Sequence, residues 1–170
     1  MTPKQIEKLK KKNIADVKRI LAAEKRKFGA YDDSRGLRYL PTGYFVKLGD
    51  YEGGLAYLKW FYKNFPFDGG FPEFLFDSAI LLFKTGRLNE TISSAFQTFC
   101  SNPYWIDHFL GRPRAPLDIW HSSNLMQVEY TQALTYTNDQ PDLIDFADWL
   151  RELTTFNSRF TGGKLKKYKK

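Results

Sequence analysis

The chain has one cysteine and two histidines in 170 residues, and each scarcity removes a class of chemistry. Cys100 has no second cysteine with which to close an internal disulfide, and between Phe99 and Ser101 it reads as a small buried hydrophobe. His108 and His121 stand on either side of a proline-rich connection and fit no metal-ligand spacing. No glycine-rich phosphate loop follows a strand, no Gly-x-Ser-x-Gly occurs, and no segment alternates as a strand does. The chain therefore reads as non-enzymatic, with no catalytic residue, no cofactor and no metal site. No apolar run reaches the roughly 20 residues of a membrane-spanning helix. The lysine-rich amphipathic start does not resemble a secretory signal, so a cytoplasmic protein without a membrane partner is the expectation.

What the chain has in quantity is aromatic side chains and basic charge. Hydrophobic residues make up 42% and aromatics 17%, which excludes general disorder and requires the rings to fill a core or line a groove. The formal net charge is +7, from 26 Lys/Arg and 19 Asp/Glu. Residues 1 to 27 hold ten basic and three acidic side chains, and residues 164 to 170 hold five lysines. Subtracting these leaves 11 basic and 16 acidic residues, a body of net −5. The basic character belongs to the two ends. Residues 1–162 are expected to form a single all-helical domain, and 163–170 a flexible basic tail.

One pattern occurs twice. Leu48-Gly49-Asp50-Tyr51 leads through Leu55 and Phe61 to Pro66, and Thr85-Gly86-Arg87-Leu88 leads through Ile92 to Pro103. Each glycine follows an apolar segment and stands 17 residues before a proline. Glycine supplies the positive φ that ends a first helix, Tyr51 or Leu88 packs under the turn, and proline stops a second helix. Both copies thus read as helical hairpins.

The chain resembles the tetratricopeptide repeat in this Gly-Asp-Tyr-like turn, in the small residue five positions after the glycine (Gly54, Thr91) and in the closing proline. The copies lie 37 residues apart against about 34 for the ideal repeat, and the loop Phe67 to Phe71 accounts for the excess. Two ordinary antiparallel helix pairs with shared turn chemistry remain the alternative. The fold that the resemblance implies is all-α: stacked antiparallel hairpins forming a short α-solenoid, with a long N-terminal helix.

The remaining elements follow from local signals. Thr2 and Pro3 open a helix running to Lys27, whose apolar stripe is Ile6, Leu9, Val17, Ile20, Leu21 and Phe28, ended by Gly29. Asp33 or Ser34 caps the next turn, and Pro41 delays the following helix. Asp50 or Gly49 opens a helix burying Leu55, Leu58, Phe61, Tyr62 and Phe65, where Gly53 and Gly54 imply a closely crossing neighbour. Pro72 and Glu73 start a helix so apolar that it must be covered on most sides. Leu88 to Cys100 and Leu143 to Phe156 are amphipathic, Tyr104 to Leu110 forms one or two turns, and Gly111 to Pro116 a rigid loop. A helix from Asn124 to Tyr136 is expected after capping hydroxyls at Ser122 and Ser123.

In tetratricopeptide proteins the first helix of each hairpin lines the ligand surface. Carried onto this chain, that implies peptide contacts at Tyr39, Val46, Lys47, Glu73, Phe76, Ile80, Phe83 and Lys84, with Arg35 and Arg38 adding charge. Such a mixture suits an acidic or carboxylate-ended peptide. The expected partner is a protein or peptide, with self-association into a homodimer through the same surface. The terminal lysines suggest a second partner, nucleic acid.

Overall fold

Thr2 opens the first helix, α1 (Pro3–Phe28), with a reciprocal capping box: its hydroxyl accepts from the Gln5 N–H, and the Gln5 side chain accepts from the Thr2 N–H at 2.8 Å. Gly29 ends it at φ 73°. The computed structural model describes residues 2–31, 33–113, 123–157 and 160. Asp32, residues 114–116, His121, Ser122 and the basic tail 163–170 lie outside them. Among the described residues every regular element is helical. The chain divides into two compact units, residues 1–70 and 71–170.

In the first unit α1 packs on α2 (Leu40–Leu48), and α2 packs antiparallel to α3 (Tyr51–Asn64). Only Ile14, Val17 and Leu21 of α1 are buried. Ile6, Leu9 and Phe28, members of the expected docking stripe, remain 39%, 45% and 56% exposed. The reason is length. At about 1.5 Å per residue α1 spans roughly 39 Å and α2 roughly 14 Å, so much of α1 has no α2 beside it.

A 3₁₀ turn, Leu37–Tyr39, precedes α2 and leaves Pro41 in its first turn, where a missing N–H costs nothing. Asp50 caps α3 by accepting from Gly53 N at 3.0 Å. A Cβ on Gly53 would come within 2.8 Å of three atoms of that carboxylate. Gly53 is thus explained by the cap and not by a crossing helix. Leu55, Tyr57, Leu58 and Phe61 are core, whereas Tyr62 is 42% exposed.

In the second unit α4 (Pro72–Lys84) is buried without interruption from Phe74 to Leu82. It packs on α5 (Leu88–Ser101) and on α7 (Ile144–Phe156), while α5 also packs on the short α6 (Trp105–Phe109). Phe76 lies at the middle, with ring centroids 5.0 Å from Phe109, 5.7 Å from Phe146 and 6.4 Å from Trp105. Each such ring removes 150–250 Å² from water, roughly 4–6 kcal/mol of gross stabilisation. Cys100 is exposed, not the buried hydrophobe expected.

The stretch from 124 to 136 is not the expected α-helix. It forms two 3₁₀ runs, Asn124–Met126 and Val128–Ala133, separated by Gln127 in extended conformation. The fully buried Asn102 amide donates to the carbonyls of Leu125 at 2.6 Å and Gln127 at 3.0 Å. A side-chain donor thus takes carbonyls that a continuous helix would need.

The two hairpins repeat their hydrogen bonds at the 37-residue offset. Asp50 N donates to Phe45 O at 3.1 Å and Arg87 N to Leu82 O at 2.9 Å. Gly49 N to Val46 O matches Gly86 N to Phe83 O, each at 3.0 Å, and Phe65 N to Phe61 O matches Asn102 N to Thr98 O, each at 2.8 Å. Gly54 and Thr91 are both buried. Tyr51 is half-buried, but Leu88 is 49% exposed and does not pack under its turn as expected.

Gly49 and Gly86 hold φ 67° and 74° with no other atom within 4 Å of a prospective Cβ. Any penalty for a side chain there is conformational rather than steric. Gly86→Val is expected to cost more than about 1 kcal/mol, as left-handed backbone does for L-residues. Denaturant unfolding reads it, and a wild-type midpoint would refute the turn geometry.

Candidate interaction surfaces

Of the five expected peptide contacts in the first unit, Arg35 and Lys47 are exposed. Val46 is 1% exposed and belongs to the core. Arg38 and Tyr39 are committed to an internal network. Asp33, whose side chain is 1% exposed, accepts from the N–H groups of Leu37 and Arg38, each at 2.8 Å, and caps the 3₁₀ turn. The Arg38 guanidinium meets Asp33 at 3.1 Å and Asp68 at 2.7 Å, and donates to the Tyr39 hydroxyl at 2.7 Å. That hydroxyl donates to the other Asp68 oxygen at 2.6 Å, and Tyr57 donates to the Arg38 carbonyl at 2.7 Å.

Burial pushes the Tyr39 hydroxyl up to about 12, with the hydrogen bond to Asp68 acting the same way. Burial likewise raises Tyr57. Asp68 is held below the usual carboxylate range: burial opposes ionisation, but hydrogen bonds from Tyr39, Gly70 N and Arg38 outweigh it. The network ties the loop after α3 to the turn before α2.

Beyond this network the N-terminal part of α1 stands clear. The Lys10 ammonium donates to the Lys47 carbonyl at 2.9 Å and so caps the last turn of α2. Residues 2 to 9 are all exposed. On a helix Ile6 and Lys10 share the face of Val17 and Leu21, with Leu9 on its margin. The apolar face that docks α1 therefore continues, exposed, past the end of α2. Lys12 borders Leu9, while Lys4, Lys8 and Lys11 lie on the opposite side of the helix, where Lys11 pairs with Glu7 at 2.7 Å.

In the second unit, Phe76 and Ile80 are 1% and 0% exposed and cannot face a ligand; they are core, as a helix covered on most sides requires. Phe83 is half-buried, edge-on to Phe146 at 5.3 Å and tilted against Trp149 at 5.2 Å. Lys84 pairs with Asp145 at 2.5 Å; burial opposes ionisation of Asp145, but the hydrogen bonds from Lys84 and Phe146 N together with the Lys84 charge hold it below the ordinary carboxylate range. Arg38 and Lys84, two of the cations expected to receive an acidic peptide, are thus neutralised within the chain.

Glu73 is half-buried in the first turn of α4, and its Oε1 accepts from the Tyr130 hydroxyl at 2.8 Å. One turn on, the buried Asp77 hydrogen-bonds the buried Tyr136. Burial raises the hydroxyls of both tyrosines above the ordinary value, and their carboxylate partners add to the shift. Two carboxylates four residues apart on one helix face thus each hold a tyrosine from the 128–136 stretch. Trp105, fully buried, lies 6.0 Å from the Tyr130 ring. Tyr130, Tyr136, Asp77 and Trp105 were not anticipated as a group. The available signal was Asp77, one carboxylate in an otherwise apolar stretch, four residues after Glu73.

Among the described residues no group of three or more His, Cys, Asp and Glu could hold a metal ion, and no helix is long and apolar enough to cross a membrane. No protein-family model, no curated protein and no solved structure matches the chain.

Proposed function

We propose that this protein is a non-enzymatic scaffold of helical hairpins that binds a protein or peptide partner. The observation that carries the reading is the overhang of α1, where Ile6 and Leu9 are 39% and 45% exposed on the face that docks the rest of the helix. An exposed apolar helix face is a common docking element. The recurrence of one turn geometry at Gly49 and Gly86 supports a tetratricopeptide-like design, in which hairpins present surfaces to other chains.

The combined substitution Ile6→Asp and Leu9→Asp tests the surface. Both side chains are exposed, so stability should stay within about 0.5 kcal/mol of wild type. Partners captured from native extract by the wild type should be lost by the variant. An unchanged partner set, with melting preserved, overturns the use of this face. Sedimentation of the same pair of proteins reads self-association: a wild-type dimer that the variant reduces to monomer would make a second copy the partner.

The lysines favour a second reading, nucleic-acid association. Lys4, Lys8, Lys11 and Lys12 are exposed, and the first turn of α1 contains no acid, so Lys4 adds to the positive end of the helix dipole. Charge reversal at Lys8, Lys11 and Lys12 with deletion of residues 163–170 should abolish binding to a labelled duplex at physiological salt. Binding that survives would place the basic surface elsewhere.

A further inference from the structure

We propose that Glu73, Tyr130 and Trp105 receive a cationic side chain, guanidinium or ammonium, together with the main-chain carbonyl beside it, from a peptide partner; this rests on the peptide-binding reading above. Two polar atoms carry the inference. Glu73 Oε2 and Trp105 Nε1 are both shut off from solvent without a hydrogen-bonding partner among the described residues. Native interiors leave few such atoms unpaired.

Tyr130 links the two groups, because its hydroxyl holds Glu73 Oε1 at 2.8 Å while its ring lies 6.0 Å from Trp105. A carboxylate oxygen needs a donor, and an indole N–H needs an acceptor. An arginine or lysine residue offers both, the charged head to Glu73 and its own carbonyl to Trp105. The rings of Tyr130 and Trp105 suit the cation as well, through their negative faces.

No cation of the chain pairs with Glu73 among the described residues. Lys84 is engaged by Asp145, and Arg112 by Asp107 at 3.6 Å and by Thr154 at 2.9 Å. The body from 28 to 163 is net −5, which also favours a basic ligand. Access lies through Tyr130 itself. It stands on the 3₁₀ run Val128–Ala133 and is half-buried, so this edge of the site reaches solvent.

The test uses the full-length protein labelled with ¹⁵N. The Trp105 indole resonance is assigned by its loss in Trp105→Phe and followed while N-acetyl-arginine methylamide is added at constant ionic strength. The neutral isostere N-acetyl-citrulline methylamide is the control. The arginine probe is expected to shift the Trp105 resonance saturably and to bind at least about tenfold more tightly than the citrulline probe, the scale of one charge-assisted hydrogen bond. Glu73→Gln should weaken it by a similar factor with the other indole resonances in place. Tyr130→Phe keeps the ring and removes the competing donor, so it should bind the probe at least as well as wild type.

No saturable shift up to the solubility limit, equal response to citrulline, undiminished binding by Glu73→Gln, or loss of binding in Tyr130→Phe would each overturn the site. A failure here with partners still captured through Ile6 and Leu9 removes this receptor and leaves the scaffold standing. The reverse pattern removes the α1 docking face alone.

Discussion

Phe76→Ala is expected to destabilise the protein by about 3–5 kcal/mol, the range for removing a fully buried phenylalanine. Its ring is 1% exposed and meets Phe109, Phe146 and Trp105 edge-on. Alanine would forfeit the burial and leave a cavity walled by three aromatics that cannot collapse far without losing their own contacts. The comparison is Arg35→Ala, exposed in the other unit and expected to stay within about 0.5 kcal/mol. Urea unfolding followed by near-ultraviolet dichroism reads both. A Phe76 variant that unfolds with the wild type would mean that this side chain faces outward after all.

Arg38→Leu is the second large effect, expected at about 3–5 kcal/mol. Leucine keeps much of the packing but leaves the Asp33 and Asp68 carboxylates, 1% and 12% exposed, without their shared cation. Pairing two carboxylates through one guanidinium is stable only as a set, so removing its centre is costlier than removing an exposed charge.

The network also sets two pH windows. The folded pKa of Asp68 is depressed, so its contribution is present above the unfolded value near 4 and is lost as pH falls through the folded one. Tyr39 is raised to about 12. Its contribution is complete below the unfolded value near 10 and disappears as pH rises to the folded one. Tyr39→Phe should reduce the alkaline loss of melting temperature between about pH 10 and 12 without abolishing it, because Tyr57 is raised too. An alkaline limb identical to that of wild type would exclude Tyr39 from the network.

The helical punctuation was legible in the sequence because it depends on atoms within a turn of one another. Thr2, Pro3 and Gln5 make a capping box from neighbouring residues alone. Gly49 and Gly86 take positive φ where the chain must leave a helix, and Pro72 stands where a helix begins. The 37-residue register follows from the same local grammar, which is why the glycine and proline of the two copies align in the sequence and their turn hydrogen bonds match in the structure.

Exposure was less legible, since it depends on what distant residues place alongside an element. The apolar character of α4 already implied that it was covered on most sides, and that implication outweighs the ligand-facing assignment of Phe76 and Ile80 that the repeat resemblance carried. Ile6 and Leu9 belong to the same periodic stripe as Val17, yet only Val17 is buried, because α2 is nine residues long and α1 is 26.

The polar partnerships lay further still from what local spacing can show. Arg38 finds Asp68 across 30 positions, and Glu73 finds Tyr130 across 57. Asn102, which unwinds the stretch after Ser123, reaches carbonyls 23 and 25 residues away. The ends of α1, α2, α3 and α4 follow from local signals, since those bonds close within four or five residues. Which faces remain exposed, which charges are neutralised and whether residues 124–136 wind as one helix depend on groups that meet only after the chain has folded.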